Sequence, residues 1–224
     1  MPASLSRSVE DYLKTIYRLS ERGDAAATSE IAQRMDLTAA SVTEMVKRLA
    51  ESGHVEHVPY KGVRLTDEGR RRALAVMRRH RVVETYLVEK LRYDWSSVHE
   101  EAERLEHAAS DELIERMAFA LGQPKYDPHG APIPTADGEI ERKELATLAD
   151  IEPGTRVTIR EVDDDDPERL RYLKLQGLVP VTELTVVDRQ PFSGPLTLRL
   201  GPVDGGETRV IGRELASCIR VESL

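Results

Sequence analysis

The chain has 224 residues and a formal net charge of −8; 32% of its side chains are charged, 40% apolar and only 4% aromatic. That length suits two or three domains rather than one, and the acidic balance argues against a general nucleic-acid coat protein while leaving room for a local basic patch. Cys218 is the single cysteine, which excludes an intramolecular disulfide and fits a reducing cytosol; with no apolar signal core in MPASLSRSVEDYLK and no apolar run near ~18 residues, a cytoplasmic protein without a membrane partner is expected.

The first elements read as helices. In SVEDYLKTIYRLSE, Val9, Tyr12, Leu13, Ile16, Tyr17 and Leu19 recur at helical spacing, with Ser8 as N-cap. RGDAAAT is a loop. TSEIAQRMDL is a short helix capped by Thr28 or Ser29, with Ile31, Ala32 and Met35 facing inward. After a break at DLT, TAASVTEMVKRLAESG starts from Thr38 or Ser41, turns Val42, Met45, Val46 and Leu49 inward, and stops at Gly53. Two short helices across a tight break suggest a helix-turn-helix. HVEHVPY and GVRLT, two short strands about a Lys61-Gly62 turn, make it the winged variant. An ordinary helical hairpin followed by a β-turn fits the same residues.

Helix resumes at Thr66, with Ala73, Val76, Met77, Val83, Leu87 and Leu91 on one side, and another helix is expected from about Ser96 to Leu121. GQPKYDPHGAPIPTADGE is too rich in proline and glycine for helix and reads as the end of the helical domain and the entry to a linker. Beyond residue 150 the pattern alternates. TRVTIREV, ELTVVDR, LTLRLG, TRVIG and CIRVESL are short strands with turn signals such as Asp204-Gly205-Gly206, and DDDDPERLRYLKLQGL is an acidic loop leading into a short helix. Such a run of strands suggests a small β-barrel. The expected class is mainly α with a C-terminal β-barrel.

The stretch VHEEAERLEH carries the chemistry. On a continuous helix, Val98, Ala102, Leu105 and Ala109 fall within about 60° of one another, and His99, Glu103, Glu106 and His107 within the next ~100°. Clustered carboxylates beside a core repel, and a divalent cation removes that conflict. His80 and Glu84 form a second pair at i, i+4, and Asp11 lies near the start of the first helix beside its apolar face. A solvated Glu/His helix face is the competing explanation. If a metal is held, oxygen and imidazole donors without thiolate suit Mn²⁺ or Fe²⁺. Imidazoles must be neutral to ligate, so metal activation is expected to fade as pH falls through about 6.5.

EDYLKTIYRL, MRRHRVVETYL, VHEEAERLEHAASDEL and DPHGAPIP, in that order, resemble the diphtheria toxin repressor family of metal-dependent regulators, its manganese-responsive branch in particular. The resemblance spans nearly the whole chain. It implies a winged helix-turn-helix over residues 1–72, a helical metal-binding and dimerisation domain with its linker over 73–140, and an FeoA-like, SH3-like barrel over 141–224. It places primary-site ligands on Asp11, Glu103, Glu106 and His107, and ancillary ligands on His80, Glu84 and His99. Where the iron-type pattern has methionine and cysteine, this chain has Asp11 and Glu103, a departure toward hard oxygen donors. A further glutamate of the manganese binuclear cluster falls on Lys14. Barrel-derived ligands fall near Asp166 and Glu168, where an acidic surface loop is an equal reading.

The same resemblance implies a recognition helix whose Thr38, Ala39, Ala40, Ser41, Thr43 and Glu44 face base edges, while Lys47 and Arg48 reach phosphates. Tyr60, Lys61 and Arg64 in the wing are further phosphate candidates. The expected function is a metal-dependent repressor of metal-uptake genes, with Mn²⁺ as cofactor and Fe²⁺ as the alternative. It would act as a homodimer on double-stranded operator DNA, with no small-molecule substrate. An enzyme is disfavoured: HEEAE lacks the second histidine of H-E-x-x-H, and no nucleophile–base pair is evident. A winged-helix regulator gated by a small molecule or protein partner, or an FeoA-like module acting only by interaction, are the other readings.

Overall fold

The computed structural model describes residues 5–20, 25–141, 143–163, 166–202 and 205–224. The chain divides into two compact units, one of residues 1–80, 106–109 and 134–139, the other of 81–105, 110–133 and 140–224.

In the first unit, α1 (Arg7–Ser20) buries Tyr12, Leu13, Ile16 and Tyr17. Its cap is Ser6 rather than Ser8, the hydroxyl accepting from the Val9 N–H at 3.4 Å. α2 (Thr28–Met35) is capped by neither Thr28 nor Ser29; the Glu30 carboxylate reaches back to the Ala27 N–H at 3.2 Å. Asp36 then takes a left-handed φ of 52°, which breaks the chain direction. α3 (Ala39–Glu51) starts from Thr38, whose hydroxyl accepts from the Ser41 N–H at 3.2 Å. Val42, Val46 and Leu49 are its buried stripe. β1 (Val55–Val58) and β2 (Gly62–Leu65) pair antiparallel from Val55↔Leu65 to Val58↔Gly62, and Ala26 adds a bridge to Val63. The helix-turn-helix with its wing is thus formed locally, and α4 (Asp67–Glu89) closes the unit with buried Ala73, Leu74, Val76 and Met77.

The second unit begins within α4, where Val82, Val83 and Leu87 are buried. Leu91 lies past the helix end and is exposed, contrary to its expected inward face. The single helix expected from Ser96 to Leu121 is two helices, α5 (Val98–Leu105) and α6 (Asp111–Ala120). Ser110 accepts from the Leu113 N–H at 3.3 Å, and Asp111 and Glu112 fill the first turn of α6. These are helix-start signals that an uninterrupted 3.6-residue periodicity conceals.

The proline-rich segment is not a bare linker. Asp127 accepts from the N–H groups of His129 and Ala131 at 2.8 and 3.0 Å, and the Val162 N–H donates to the His129 carbonyl at 2.9 Å. Ala131 and Ile133 are buried.

The remaining elements are β3 (Ala146–Thr147), a 3-10 turn (Leu148–Asp150), β4 (Arg156–Val162), α7 (Pro167–Leu175), β5 (Glu183–Arg189), β6 (Leu196–Leu200), β7 (Glu207–Ile211), α8 (Arg213–Ser217) and β8 (Ile219–Ser223). They form one six-stranded sheet in the order β3-β8-β4-β5-β6-β7. The expected barrel is not closed: β3 and β7 stand at opposite edges of this sheet. β3, only two residues long, pairs with β8 alone. Irregularities at Ile159/Glu161 and Val186/Asp188 bend the sheet. Leu170 and Leu173 of α7, Ala216 of α8, Leu148 and Trp95 join its apolar side chains in one core. Burial is therefore completed by helices and loops, so closure of the strands is not required. Asp204 of the expected Asp204-Gly205-Gly206 turn lies outside the described residues. Among the described residues, no helix is long and apolar enough to cross a membrane.

Candidate metal centre

In the first unit α1 supplies Glu10, Asp11 and Lys14, α4 supplies Arg79 and His80, and a turn after α5 supplies Glu106 and His107. Glu106 and His107 are therefore placed by a turn rather than by the helical column expected of them. Glu106 is fully buried, and Leu105, expected in the buried stripe, is exposed.

His107 Nε2 lies 2.9 Å from Asp11 Oδ1 and 3.1 Å from Glu106 Oε1. On the other side of the ring, Nδ1 is 2.6 Å from Glu10 Oε2, and the second oxygen of Glu10 accepts from Arg79 at 2.5 Å. The other oxygen of Glu106 is 2.5 Å from His80 Nδ1, and Glu106 Oε1 also accepts from the Lys14 ammonium at 2.6 Å.

The electrostatics follow from these contacts. Burial alone would push the Glu106 carboxyl up, but the hydrogen bonds of His107 and His80, with the charges of His80 and Lys14, outweigh it and hold the group well below the usual carboxylate range. The hydrogen bond to Glu106 raises His107, burial opposes the rise, and Glu10 and Asp11 add to it, leaving His107 at about 9.

These residues fit a divalent ion. Asp11, Glu106 and His107 offer ligand atoms within 4.8 Å of one another. Neighbouring donors of an octahedral ion with bonds of about 2.1 Å sit about 3 Å apart, which matches 2.9 and 3.1 Å around His107 Nε2.

The second unit gathers the remaining candidates. His99 Nδ1 is 3.1 Å from Glu84 Oε1, and its Nε2 is 3.6 Å from Glu103 Oε1. Two residues absent from the sequence reading join Glu84. Asp127 and His129, both buried, bring ligand atoms within 4.8 Å of the Glu84 carboxylate. His129 Nε2 donates to the Trp95 carbonyl, which can only accept, at 2.8 Å, and its Nδ1 lies 3.9 Å from Glu84 Oε2. The signal is the run Asp127-Pro128-His129-Gly130, which opens the motif DPHGAPIP of the resemblance but reads by composition as linker. Glu10 was missed too, although it sits beside Asp11.

Asp166 serves as N-cap of α7, accepting from Glu168 and Arg169 N–H groups at 2.9 and 3.1 Å, while Glu168 is exposed. On α3, Thr38, Ala39, Ala40, Ser41, Thr43, Glu44, Lys47 and Arg48 are all exposed, as are Tyr60, Lys61 and Arg64 of the wing. The Thr43 hydroxyl donates to the Ala39 carbonyl at 2.8 Å, and that of Thr38 is committed to its cap.

Comparison with known proteins agrees along the chain. The family model for the iron dependent repressor N-terminal DNA binding domain matches residues 4–63, that for the iron dependent repressor metal binding and dimerisation domain matches 66–135, and that for the FeoA domain matches 146–223. The iron-dependent repressor IdeR of Mycobacterium leprae is 30% identical over 229 residues, covering 97% of each chain. The diphtheria toxin repressor of Corynebacterium diphtheriae is 31% identical over 233 residues, again covering 97% of each. A solved manganese-dependent transcriptional repressor in complex with manganese is 40% identical, with a TM-score of 0.88 over 96% of this chain and 100% of its own. The chain belongs to the iron-dependent repressor family of metal-responsive, DNA-binding transcriptional repressors.

Proposed function

We propose that the chain is a manganese-responsive repressor of metal-uptake genes, with Fe²⁺ as the alternative ion, acting in the cytoplasm as a homodimer on double-stranded operator DNA. The observation that carries this reading is the donor set, Asp11, Glu106 and His107 converging with oxygen and nitrogen and without sulfur. The sequence expectation adds Glu103, and Glu84, His99 and His80 as ancillary donors. Sulfur favours later first-row ions, so an oxygen-and-imidazole set narrows the disadvantage of Mn²⁺. Likeness to a repressor solved with manganese supports the same ion.

When bound, the ion supplies two positive charges among carboxylates that otherwise repel. Asp11 on α1 and the Glu106-His107 turn are then held to one another, and a helix-turn-helix so fixed favours the DNA-competent geometry only as far as the ion prefers that geometry. Thr38, Ala39, Ala40, Ser41, Thr43 and Glu44 face the major groove, with Lys47 and Arg48 on phosphates. Two copies would read a two-fold operator.

The test is fluorescence anisotropy of labelled DNA from the gene's own upstream region, titrated with Mn²⁺, anaerobic Fe²⁺ and Co²⁺. The parent should bind with Mn²⁺. Glu106→Gln should not, while remaining folded. A double substitution of Asp11→Met and Glu103→Cys should shift the response toward Fe²⁺ and Co²⁺. A parent indifferent to Mn²⁺, or an unchanged metal ranking in the double variant, would refute the choice of ion.

A further inference from the structure

Trp95, the chain's single tryptophan, stands between α4 and α5, yet it belongs to the core of the C-terminal sheet together with Leu170 and Leu173 of α7. Its turn is fastened on both sides. Asp94 Oδ1 accepts from the Ser96 N–H at 2.9 Å, and the Lys174 ammonium of α7 donates to Asp94 Oδ2 at 2.6 Å. Packing alone does not account for the indole. Its Nε1 is buried and has no hydrogen-bond partner among the described residues, a cost that phenylalanine or leucine in the same place would avoid. What the indole does meet is His129. The two rings stack with centroids 5.3 Å apart and planes inclined by 28°, and the Trp95 carbonyl accepts from His129 Nε2 at 2.8 Å.

One residue thus holds the imidazole by a face and by an edge. With Nε2 donating to a carbonyl, the nitrogen left for a metal is Nδ1. That atom is buried, has no hydrogen-bond partner among the described residues, and lies 3.9 Å from Glu84 Oε2. Two donors on one ion can span this distance, because ligands at about 2.1 Å stand from about 3 Å apart at right angles to about 4.2 Å when opposite. Glu84 Oε1 faces His99 Nδ1 at 3.1 Å. Asp127 is committed elsewhere: Oδ1 accepts from the His129 and Ala131 N–H groups, and Oδ2 lies 3.4 Å from Arg81 Nε. Its part is to shape the turn that carries His129.

We propose that Trp95 is a positioning residue for metal sensing, holding the His129 ring from the core of the C-terminal sheet so that Nδ1 serves as a donor beside Glu84. The inference rests on the metal reading given above, in which Glu84 is an ancillary donor. A partner that orients a ligating imidazole is worth roughly 10–100-fold in metal affinity. The ring stack and the buried turn act together here, since the turn places the carbonyl and the indole fixes the plane of the imidazole.

The experiment uses the full-length parent, Glu84→Gln, Trp95→Phe and Trp95→Leu. Each is titrated with Mn²⁺ in competition with a fluorescent chelator, and folding is checked by circular dichroism. Glu84→Gln should lose one ion. Trp95→Leu should weaken that same ion by the factor above and leave the others unchanged. Trp95→Phe keeps a ring against His129 and sheds the unpartnered N–H, so it should keep the parent's affinity. A second readout is one that packing alone would not move. With Zn²⁺ as a diamagnetic probe, nitrogen spectra of ¹⁵N-histidine-labelled protein, assigned through His129→Gln, should show His129 bound through Nδ1 with Nε2 protonated in the parent and in Trp95→Phe, and not in Trp95→Leu. A parent that binds no Mn²⁺ removes the metal reading and the role of Trp95 with it. If the parent binds Mn²⁺ but Glu84→Gln loses no ion, or His129 in the parent binds through Nε2 or not at all, the role of Trp95 alone falls. It falls equally if folded Trp95→Leu keeps the parent's affinity, or if folded Trp95→Phe loses it. Should Trp95→Leu not fold, the parent's nitrogen spectrum and the Trp95→Phe affinity decide.

Discussion

Glu10 Oε2 lies 2.6 Å from Nδ1 of His107, a residue 97 positions further along the chain. The carboxylate accepts the Nδ1 proton, which turns the Nε2 edge of the ring toward Asp11 and Glu106. Arg79 holds Glu10 from the other side. A carboxylate behind a ligating imidazole fixes its orientation and raises its basicity, and losing one costs roughly 10–100-fold in metal affinity. Glu10→Gln should weaken Mn²⁺ binding by about that factor while the far-ultraviolet circular dichroism stays that of the parent. Competition against a fluorescent chelator measures it, and an unchanged affinity removes Glu10 from the site.

The histidine also sets a pH dependence. His107 at about 9 is protonated in the metal-free protein at neutral pH, and a metal ion must displace that proton. Apparent Mn²⁺ affinity should therefore rise about tenfold per pH unit up to about pH 9, or about 100-fold between pH 7 and 9. This moves the fading point above the ordinary histidine value expected from the sequence, because Glu106, Glu10 and Asp11 surround the ring. The stability of the metal-free protein runs the opposite way. A histidine raised above its unfolded value of about 6.5 gives its full stabilisation below that value and loses it as pH rises through about 9. Calorimetry of the metal-free protein from pH 6 to 9.5, with a Mn²⁺ titration at each pH, separates the two trends; a flat affinity profile would be incompatible with a displaced proton.

Lys47 sits on the exposed face of α3, 4.0 Å from Glu51, an ion pair too open to hold it. As a phosphate contact, its change to alanine should weaken binding about equally on all sequences and lower the salt slope by roughly one unit. Anisotropy across a NaCl series would show it. A parent-like slope places Lys47 outside the interface.

Gly130 has φ of +90°, and a Cβ placed there would lie 1.8 Å from the Arg160 carbonyl oxygen. Backbone contact of that kind cannot be relieved by a side-chain turn. Gly130→Ala should cost at least ~1–3 kcal/mol and loosen the turn that holds Asp127 and His129, which thermal unfolding would detect. A melting temperature equal to the parent's would mean that this segment is not fastened to β4 in solution.

The sequence by itself determined what is local. The apolar spacing of Tyr12, Leu13, Ile16 and Tyr17, a cap of α3 at Thr38 or Ser41, of which the structure uses Thr38, the strands flanking the wing turn and all five longer strands of the C-terminal sheet follow from periods of 3.6 and 2 and from capping chemistry, which act over a few residues. Candidate ligand types were legible for the same reason, since imidazoles and carboxylates beside an apolar stripe can be read from spacing alone. The start of α6 is also local, in the Ser110 cap and the acidic first turn that follows it, although the smooth 98–109 pattern hides it; only the tertiary structure decided that Glu106 is buried there. It decided that Glu10 stands behind His107, that Lys14 and His80 meet on Glu106, and that Asp127 and His129 join Glu84. Those pairs are separated by tens of residues. Such contacts are set by which buried charge finds a partner as the elements pack, and nothing in the spacing of neighbouring residues encodes that choice. The open sheet is of the same kind, because whether strands close on themselves depends on what else covers their apolar face, here Leu170, Leu173, Ala216 and Trp95.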